Sequence, residues 1–229
     1  MFDLVIRGGT IVDGSGGKPA SGNIAIKDGM IAAIGKIDGA TKEVIEADGA
    51  LVTPGFIDVH THYDGQFLWD DKLDPSFSNG VTTAIAGNCG VGFAPVRKET
   101  RQELIELMEG VEDVPAIVVT EGMKWDWESF PDYLDRLGER HYAIGFSTGR
   151  IVEHLSSTGN NVPGTFAEDD ELMGLAEAMG KAGRGVFQMN PRGMSGDYVG
   201  TPALSRDLRL AEHDKIREIA ERSGRPITY

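Results

Sequence analysis

The chain has 229 residues, enough for one large domain or for one domain with a small accessory unit. Its formal net charge of −14 repels phosphate backbones and anionic lipid surfaces, which argues against nucleic acid and membrane partners and favours solubility. No apolar run approaches the roughly 20 residues that span a bilayer. The single cysteine forms no internal disulfide, and Met1-Phe2-Asp3-Leu4-Val5-Ile6-Arg7 starts in a strand-like pattern rather than a basic, cleavable leader, so a cytoplasmic protein is expected.

Residues 1–53 read as all-β. Leu4-Val5-Ile6, Thr10-Ile11-Val12, Ile24-Ala25-Ile26, Ile31-Ala32-Ala33-Ile34, Val44-Ile45 and Leu51-Val52 are short β-prone runs, separated by Gly8-Gly9, Asp28-Gly29 and Asp48-Gly49. Asp28-Gly29 between alternating runs is a two-residue hairpin signal. About fifty residues of short strands are marginal alone, so a covering surface is expected. With 31 glycines, roughly twice the usual share, tight connections should be many.

After Pro54 apolar runs alternate with helical patterns. Phe56 to Val59 reads as a buried strand, Val81 to Ala86 as another, and Thr100 to Glu109 as a helix. Ala116 to Val119 reads as a strand, Pro131 to Leu137 as a short helix, and Ile144 to Phe146, Val186 to Met189 and Pro226 to Tyr229 as further strands. Two amphipathic helices stand out. In Glu168 to Lys181, Leu172, Leu175, Ala176 and Met179 share a face; in Ala211 to Arg222, Ile216, Ile219 and Ala220 do. Gly183 and Gly224 follow them as stop signals. Strand–helix alternation predicts an α/β fold with a mainly parallel sheet.

The chemistry is concentrated at two strand ends. Pro54-Gly55-Phe56-Ile57-Asp58-Val59 leads into His60-Thr61-His62, and residues two apart on an extended chain share a face. Gly87-Asn88-Cys89-Gly90 closes the second strand with the only cysteine. Two imidazoles and a thiolate suit zinc. Asp58 and Asp64 lie nearby, and Asp58, two residues before His60 and on the same face of a regular strand, is placed to orient a histidine. His141 and His213 read as surface residues, His154 as a candidate for a cleft, Trp125-Asp126-Trp127-Glu128 as aromatic packing, and Arg192 as a surface arginine.

Several segments resemble the amidohydrolase superfamily: LVIRGGTIVDGSG, LVTPGFIDVHTHYDGQ, GVTTAIAGNCGVGFAPVR, MEGVEDVP with WDWESFPDYLDRL, and GFSTGR. Gly-Asn-Cys-Gly followed by Ala94-Pro95 narrows the resemblance to the N-acyl-D-amino-acid deacylase, or D-aminoacylase, branch. The resemblance implies an incomplete (β/α)8 TIM-type barrel with a small N-terminal β-sandwich-like domain. Residues 1–53 would be the N-terminal part of a composite β domain and residues 54–229 a partial barrel. It implies a metal site of His60, His62 and Cys89 holding Zn2+, and hydrolysis of a small N-acyl amino acid or related amide by a zinc-activated water. A homo-oligomer is left open.

The family takes its general base from a last-strand aspartate, which no residue here matches, so the catalytic residues stay unassigned. Val186 to Met189 and Pro226 to Tyr229 carry no histidine, although relatives place ligands on such strands. Between Ala143 and Ile144 the family would have a further strand, loop and helix. The chain also ends inside an apparent strand. These departures read as a truncated, internally shortened fragment of low activity. Two alternatives are a cyclic-amide hydrolase of hydantoinase type and a non-catalytic remnant or binding module. Cys89, in place of a metal-bridging carboxylated lysine, argues against the first.

Overall fold

A computed structural model of the chain describes residues 1–138, 145–149, 155–156, 158–161, 164–191 and 206–229. It divides into two compact units, Met1–Gly55 and Phe56–Tyr229.

The first unit is one sheet. Strands β1 (Phe2–Ile11), β2 (Ala20–Lys27), β3 (Met30–Gly35) and β4 (Thr41–Glu46) lie in the order β3-β2-β1-β4, and β5 (Leu51–Val52) also pairs with β1. Asp28 and Gly29 both take positive φ, 52° and 73°, and turn β2 into an antiparallel β3. The two runs on either side of Gly8-Gly9 are a single strand. The glycines form an irregularity between Ile6 and Gly9, absorbed as a bulge with the Gly8 N–H bonded to Asn23 Oδ1 at 3.0 Å. The other edge of β1 is filled in parallel by two strands in turn. Val44 and Ile45 face Val5 and Ile6, and Leu51 and Val52 face Thr10 and Ile11. Val5, Ile24 and Ala25 are buried, whereas Met30, Ile31, Ile34, Ile45 and Leu51 are exposed, Leu51 by 70%.

The second unit is mixed α/β. Strands β6 (Phe56–Asp58) and β7 (Val81–Ala84) pair in parallel; β8 (Gly145–Gly149), β9 (Val186–Asn190) and β10 (Ile227–Thr228) form a separate parallel sheet. In both sheets the spatial order follows the chain. Helices α1 (Gln66–Trp69), α2 (Arg101–Glu112), α3 (Ala116–Gly122) and α4 (Phe130–Leu137) lie between β6 and β8 in sequence. Helix α5 (Asp169–Ala182) links β8 to β9, and α6 (Arg206–Ser223) links β9 to β10. Each long helix buries the face its period marks: Leu104, Leu107 and Met108 on α2, Leu172, Ala176 and Met179 on α5, Ile216 and Ile219 on α6. On β9, Phe187 and Met189 are buried while their neighbours are half-buried, the period of a strand. Helix α4 starts in a capping box: Ser129 Oγ accepts from Asp132 N, and Asp132 Oδ2 accepts from Ser129 N.

Two expectations fail. Ala116 to Val119 is helical, not a strand. Pro115 leads into the turn with φ −56°, Glu109 Oε1 accepts from the Ala116 N–H, and only Val119 is buried while Ile117 and Val118 face solvent. A strand of a parallel sheet would bury all three; local capping overrides β-propensity here. The second concerns β6, which is not buried: Phe56, Ile57 and Val59 are exposed, Ile57 by 62%. Among the described residues β6 has a single strand partner, β7, so no second neighbour covers it. Strand β7 does not pair with β8, which runs beside the Asn88–Gly90 turn instead. His141, His154 and Arg192 lie outside the described residues. His213 is exposed, edge-on to the Tyr229 ring at 5.6 Å.

Helix α5 offers a paired test of packing. A Cβ on Gly180 would sit 2.7 Å from the Ser223 carbonyl oxygen at the end of α6, whereas one on Gly174 meets nothing within 4 Å. Gly174→Ala should gain about 0.5–1 kcal/mol from helix propensity. Gly180→Ala should lose about 1–3 kcal/mol by forcing the helices apart. Urea unfolding of both variants reads the signs; equal signs would show that the helices do not approach this closely.

Candidate metal centre

The His-X-His segment sits one step beyond the end of β6. There the parallel ladder is prolonged by backbone bonds from Ile85 N to Asp58 O at 2.9 Å and from Thr61 N to Ile85 O at 3.0 Å. The Thr61 hydroxyl donates to the same Ile85 oxygen at 2.9 Å and is buried. With Thr61 turned inward, His60 and His62 turn the other way, their ring centroids 5.5 Å apart. Asp58 does not reach an imidazole: its Oδ1 accepts from the His60 backbone N–H at 3.2 Å.

The second arm is the turn Gly87-Asn88-Cys89-Gly90. Gly87, Cys89 and Gly90 take φ of 78°, 56° and 75°. Two are glycines, for which this region carries no Cβ penalty. Cys89 is not, and a left-handed residue with a Cβ costs about 1–2 kcal/mol. Side-chain bonds offset that cost. Asn88 is fully buried, and its Nδ2 donates to Thr61 O at 3.1 Å and to Ile85 O at 2.8 Å, tying the turn to the peptide between the two histidines. Asp64 Oδ2 accepts from Gly87 N at 2.9 Å, and Tyr133 OH donates to the Asp64 carbonyl at 2.9 Å. Burial pushes the Asp64 carboxyl up to about 7 against the lowering effect of the N–H groups of Gly87 and Phe93.

These constraints bring Cys89 Sγ to 3.3 Å from His60 Nε2. One ligand atom each from His60, His62 and Cys89 lies within 4.8 Å of the others. A tetrahedral ion with bonds of about 2.0–2.3 Å spaces its donors roughly 3.5 Å apart, so the set fits zinc in size and in donor type. Burial pushes the Cys89 thiol up, and the charge of Glu112 adds to this. A metal entering here would therefore displace the thiol proton. Glu112, which the sequence did not single out, places Oε2 3.3 Å from His62 Nε2. Thr61 and Asn88 were likewise unmarked, because a polar residue's backbone partners depend on which strands pair.

The aromatic segment is packing. Trp127 is buried and donates Nε1–H to Phe93 O at 2.7 Å; Trp125 stacks between it and Phe93. Arg101 crosses the Trp125 ring and donates to Trp127 O at 2.9 Å.

Residues 43–222 match the amidohydrolase family, and the chain belongs to it. It is 36% identical over 192 residues to a D-aminoacylase of Alcaligenes xylosoxydans xylosoxydans, covering 81% of this chain and 37% of that one. It is 39% identical over 188 residues to an N-acyl-D-aspartate deacylase of the same organism, covering 79% and 35%. Among solved structures it resembles an N-acyl-D-glutamate deacylase from Bordetella bronchiseptica complexed with zinc and a phosphonate inhibitor. The TM-score is 0.57 at 23% identity, covering 99% of this chain and 50% of that one. The chain thus spans little more than a third of these curated relatives and half of the solved structure. Among the described residues no helix is long and apolar enough to cross a membrane.

Asn88→Ala removes both donors of the staple between the two arms. It should cost about 1–3 kcal/mol in urea unfolding, and it frees Cys89 to leave its left-handed conformation. A loss below about 0.5 kcal/mol, the level of an ordinary surface change, would show that the staple carries no strain.

Proposed function

We propose that this chain carries the first three metal donors of a zinc-dependent N-acyl-D-amino-acid deacylase, with His60, His62 and Cys89 as ligands. The observation that carries the proposal is the convergence of these three donors at adjacent strand ends. Chain-ordered parallel strands with helices between them support a partial (β/α)8 barrel over residues 54–229. The exposed apolar residues of the first sheet support residues 1–53 as part of a composite β domain.

Bound zinc would supply a water of lowered pKa and a polarised amide carbonyl. The chain's own residues do the rest of the work at this end of the sheet. His60 and His62 hold the ion through neutral imidazole and Cys89 through its thiolate. Asp64, Thr61 and Asn88 fix the two arms that carry these donors. Relatives named for D-aminoacyl, N-acyl-D-aspartate and N-acyl-D-glutamate substrates point to a small N-acyl-D-amino acid here. The donor set includes no general base. Acid–base work typically contributes 10²–10⁴-fold, so these 229 residues alone should turn over more slowly than about 1 s⁻¹.

The experiment is a zinc titration against a chromophoric chelator, with cobalt substitution as a probe of the thiolate. About one zinc per chain is expected, together with a sulfur-to-cobalt charge-transfer band that disappears in Cys89→Ser. His60→Ala should weaken zinc at least tenfold. Sub-stoichiometric zinc, or a cobalt spectrum without the sulfur band, would overturn the ligand assignment. Release of free D-amino acid from N-acetyl-D-methionine, D-aspartate and D-glutamate, compared with the L forms, tests the substrate class. Release from the L forms alone would reject it.

A further inference from the structure

Glu112 stands where a carboxylate is hard to explain by packing. It is the last residue of α2, and Met108 and Leu104, one and two turns before it, are buried on the same side of the helix. The row 104, 108, 112 is therefore a core-facing row that ends in an acid. It also ends at the C-terminus of the helix, where the backbone dipole disfavours negative charge. Asp113 stops the helix there with φ 53°. Of the other acids on α2, Glu103 and Glu109 are exposed and Glu106 is half-buried. Glu109 caps the Ala116 N–H and Glu106 accepts from Gln102 Nε2. Glu112 instead turns inward. Its side chain is only 19% exposed and meets His62, 16% exposed, with Oε2 3.3 Å from Nε2. It is not one of the three residues whose ligand atoms converge.

We infer that Glu112 is the positioning residue of His62: its carboxylate holds the ring proton on Nε2 and fixes the ring, leaving the lone pair of the other nitrogen for the metal. This rests on the zinc assignment proposed above. The chemistry is that of a neutral imidazole, which carries one proton and one lone pair; the partner of the proton decides which nitrogen is free to bind. Carboxylates that play this part also raise the basicity of the ligand, and their loss typically costs 10–100-fold in metal affinity. Glu112 is recruited from fifty positions beyond His62, on a helix that follows β7 in the chain. A two-fold cost in an isolated helix, an inward acid and an acid at the wrong end, is offset only when the imidazole is its partner.

Two readouts test it, in wild type, Glu112→Ala and Glu112→Gln. Long-range 1H–15N NMR of the metal-free protein reports the His62 tautomer. Competition with a chromophoric chelator reports the zinc Kd. In wild type His62 should be protonated on Nε2. Glu112→Gln keeps an acceptor oxygen and should keep that tautomer with a modest loss of affinity. Glu112→Ala should mix the tautomers and weaken zinc 10–100-fold. Unchanged tautomer and a Kd within twofold in Glu112→Ala would overturn the inference. So would a loss in Glu112→Gln as large as in His62→Ala, which would make Glu112 itself a metal donor. If wild type binds no zinc, the ligand assignment fails, and the metal-free NMR comparison still decides whether Glu112 sets the His62 tautomer.

Discussion

The carbonyl oxygen of Ile85 is the point on which the candidate centre depends. It accepts from the Thr61 backbone N–H, the Thr61 hydroxyl and Asn88 Nδ2. The first two fix the segment that presents His60 and His62. The third fixes the turn that presents Cys89. One oxygen, one residue beyond β7, therefore sets the distance between imidazole and sulfur. It can do so because β6 and β7 are parallel and, past an irregularity between Phe56 and Ile57, place Asp58 beside Ala84, so both arms leave the sheet at the same end. In such a sheet each residue past the strand end has one neighbouring backbone to bond with, and here those bonds are used to carry side chains.

Conflicts with local preference gather around this point. Cys89 is left-handed although it has a Cβ, Asp64 is a buried carboxyl, and Glu112 is an acid on a core-facing row at a helix C-terminus. Each would be costly in an arbitrary setting. Each has a specific partner here: the Asn88 and Asp64 bonds for the turn, backbone N–H groups for Asp64, His62 for Glu112. Strain held by surrounding bonds in this way is typical of sites that do chemistry. Other parts of the second unit follow local preference, with apolar helix faces buried, a capping box on α4 and an alternating β9, although Leu73 and Trp125 also take positive φ.

The sheets of the second unit follow the chain in their order. Strands neighbour one another in chain sequence, with α5 and α6 as crossovers, which is the progression of a singly wound fold. The break between β7 and β8 falls where the Asn88–Gly90 turn lies beside β8, so that turn occupies the seam between the two parallel sheets. Within the second unit, the exposed side chains of β6 are an apolar surface this arrangement leaves at solvent.

By itself, the sequence determined what depends on short-range periodicity and on residue chemistry. The hairpin at Asp28-Gly29, the buried faces of α5 and α6 and the strands flanking them were all legible, because turn sterics and the 3.6 and 2.0 periods act within a few residues. It misread Ala116 to Val119, whose β-branched composition favours a strand, and it read β6 as buried from its apolar run. Burial and helix capping depend on neighbours the run does not contain. Only the tertiary structure decided that Asp58 serves a backbone N–H, that Thr61 and Asn88 share the Ile85 carbonyl, and that Glu112 meets His62. Those pairings join residues tens of positions apart. They exist because β6 and β7 run parallel with Asp58 beside Ala84 and Glu112 at the end of α2 meets His62, and no local pattern in the chain specifies which carbonyl or which imidazole a polar side chain will find.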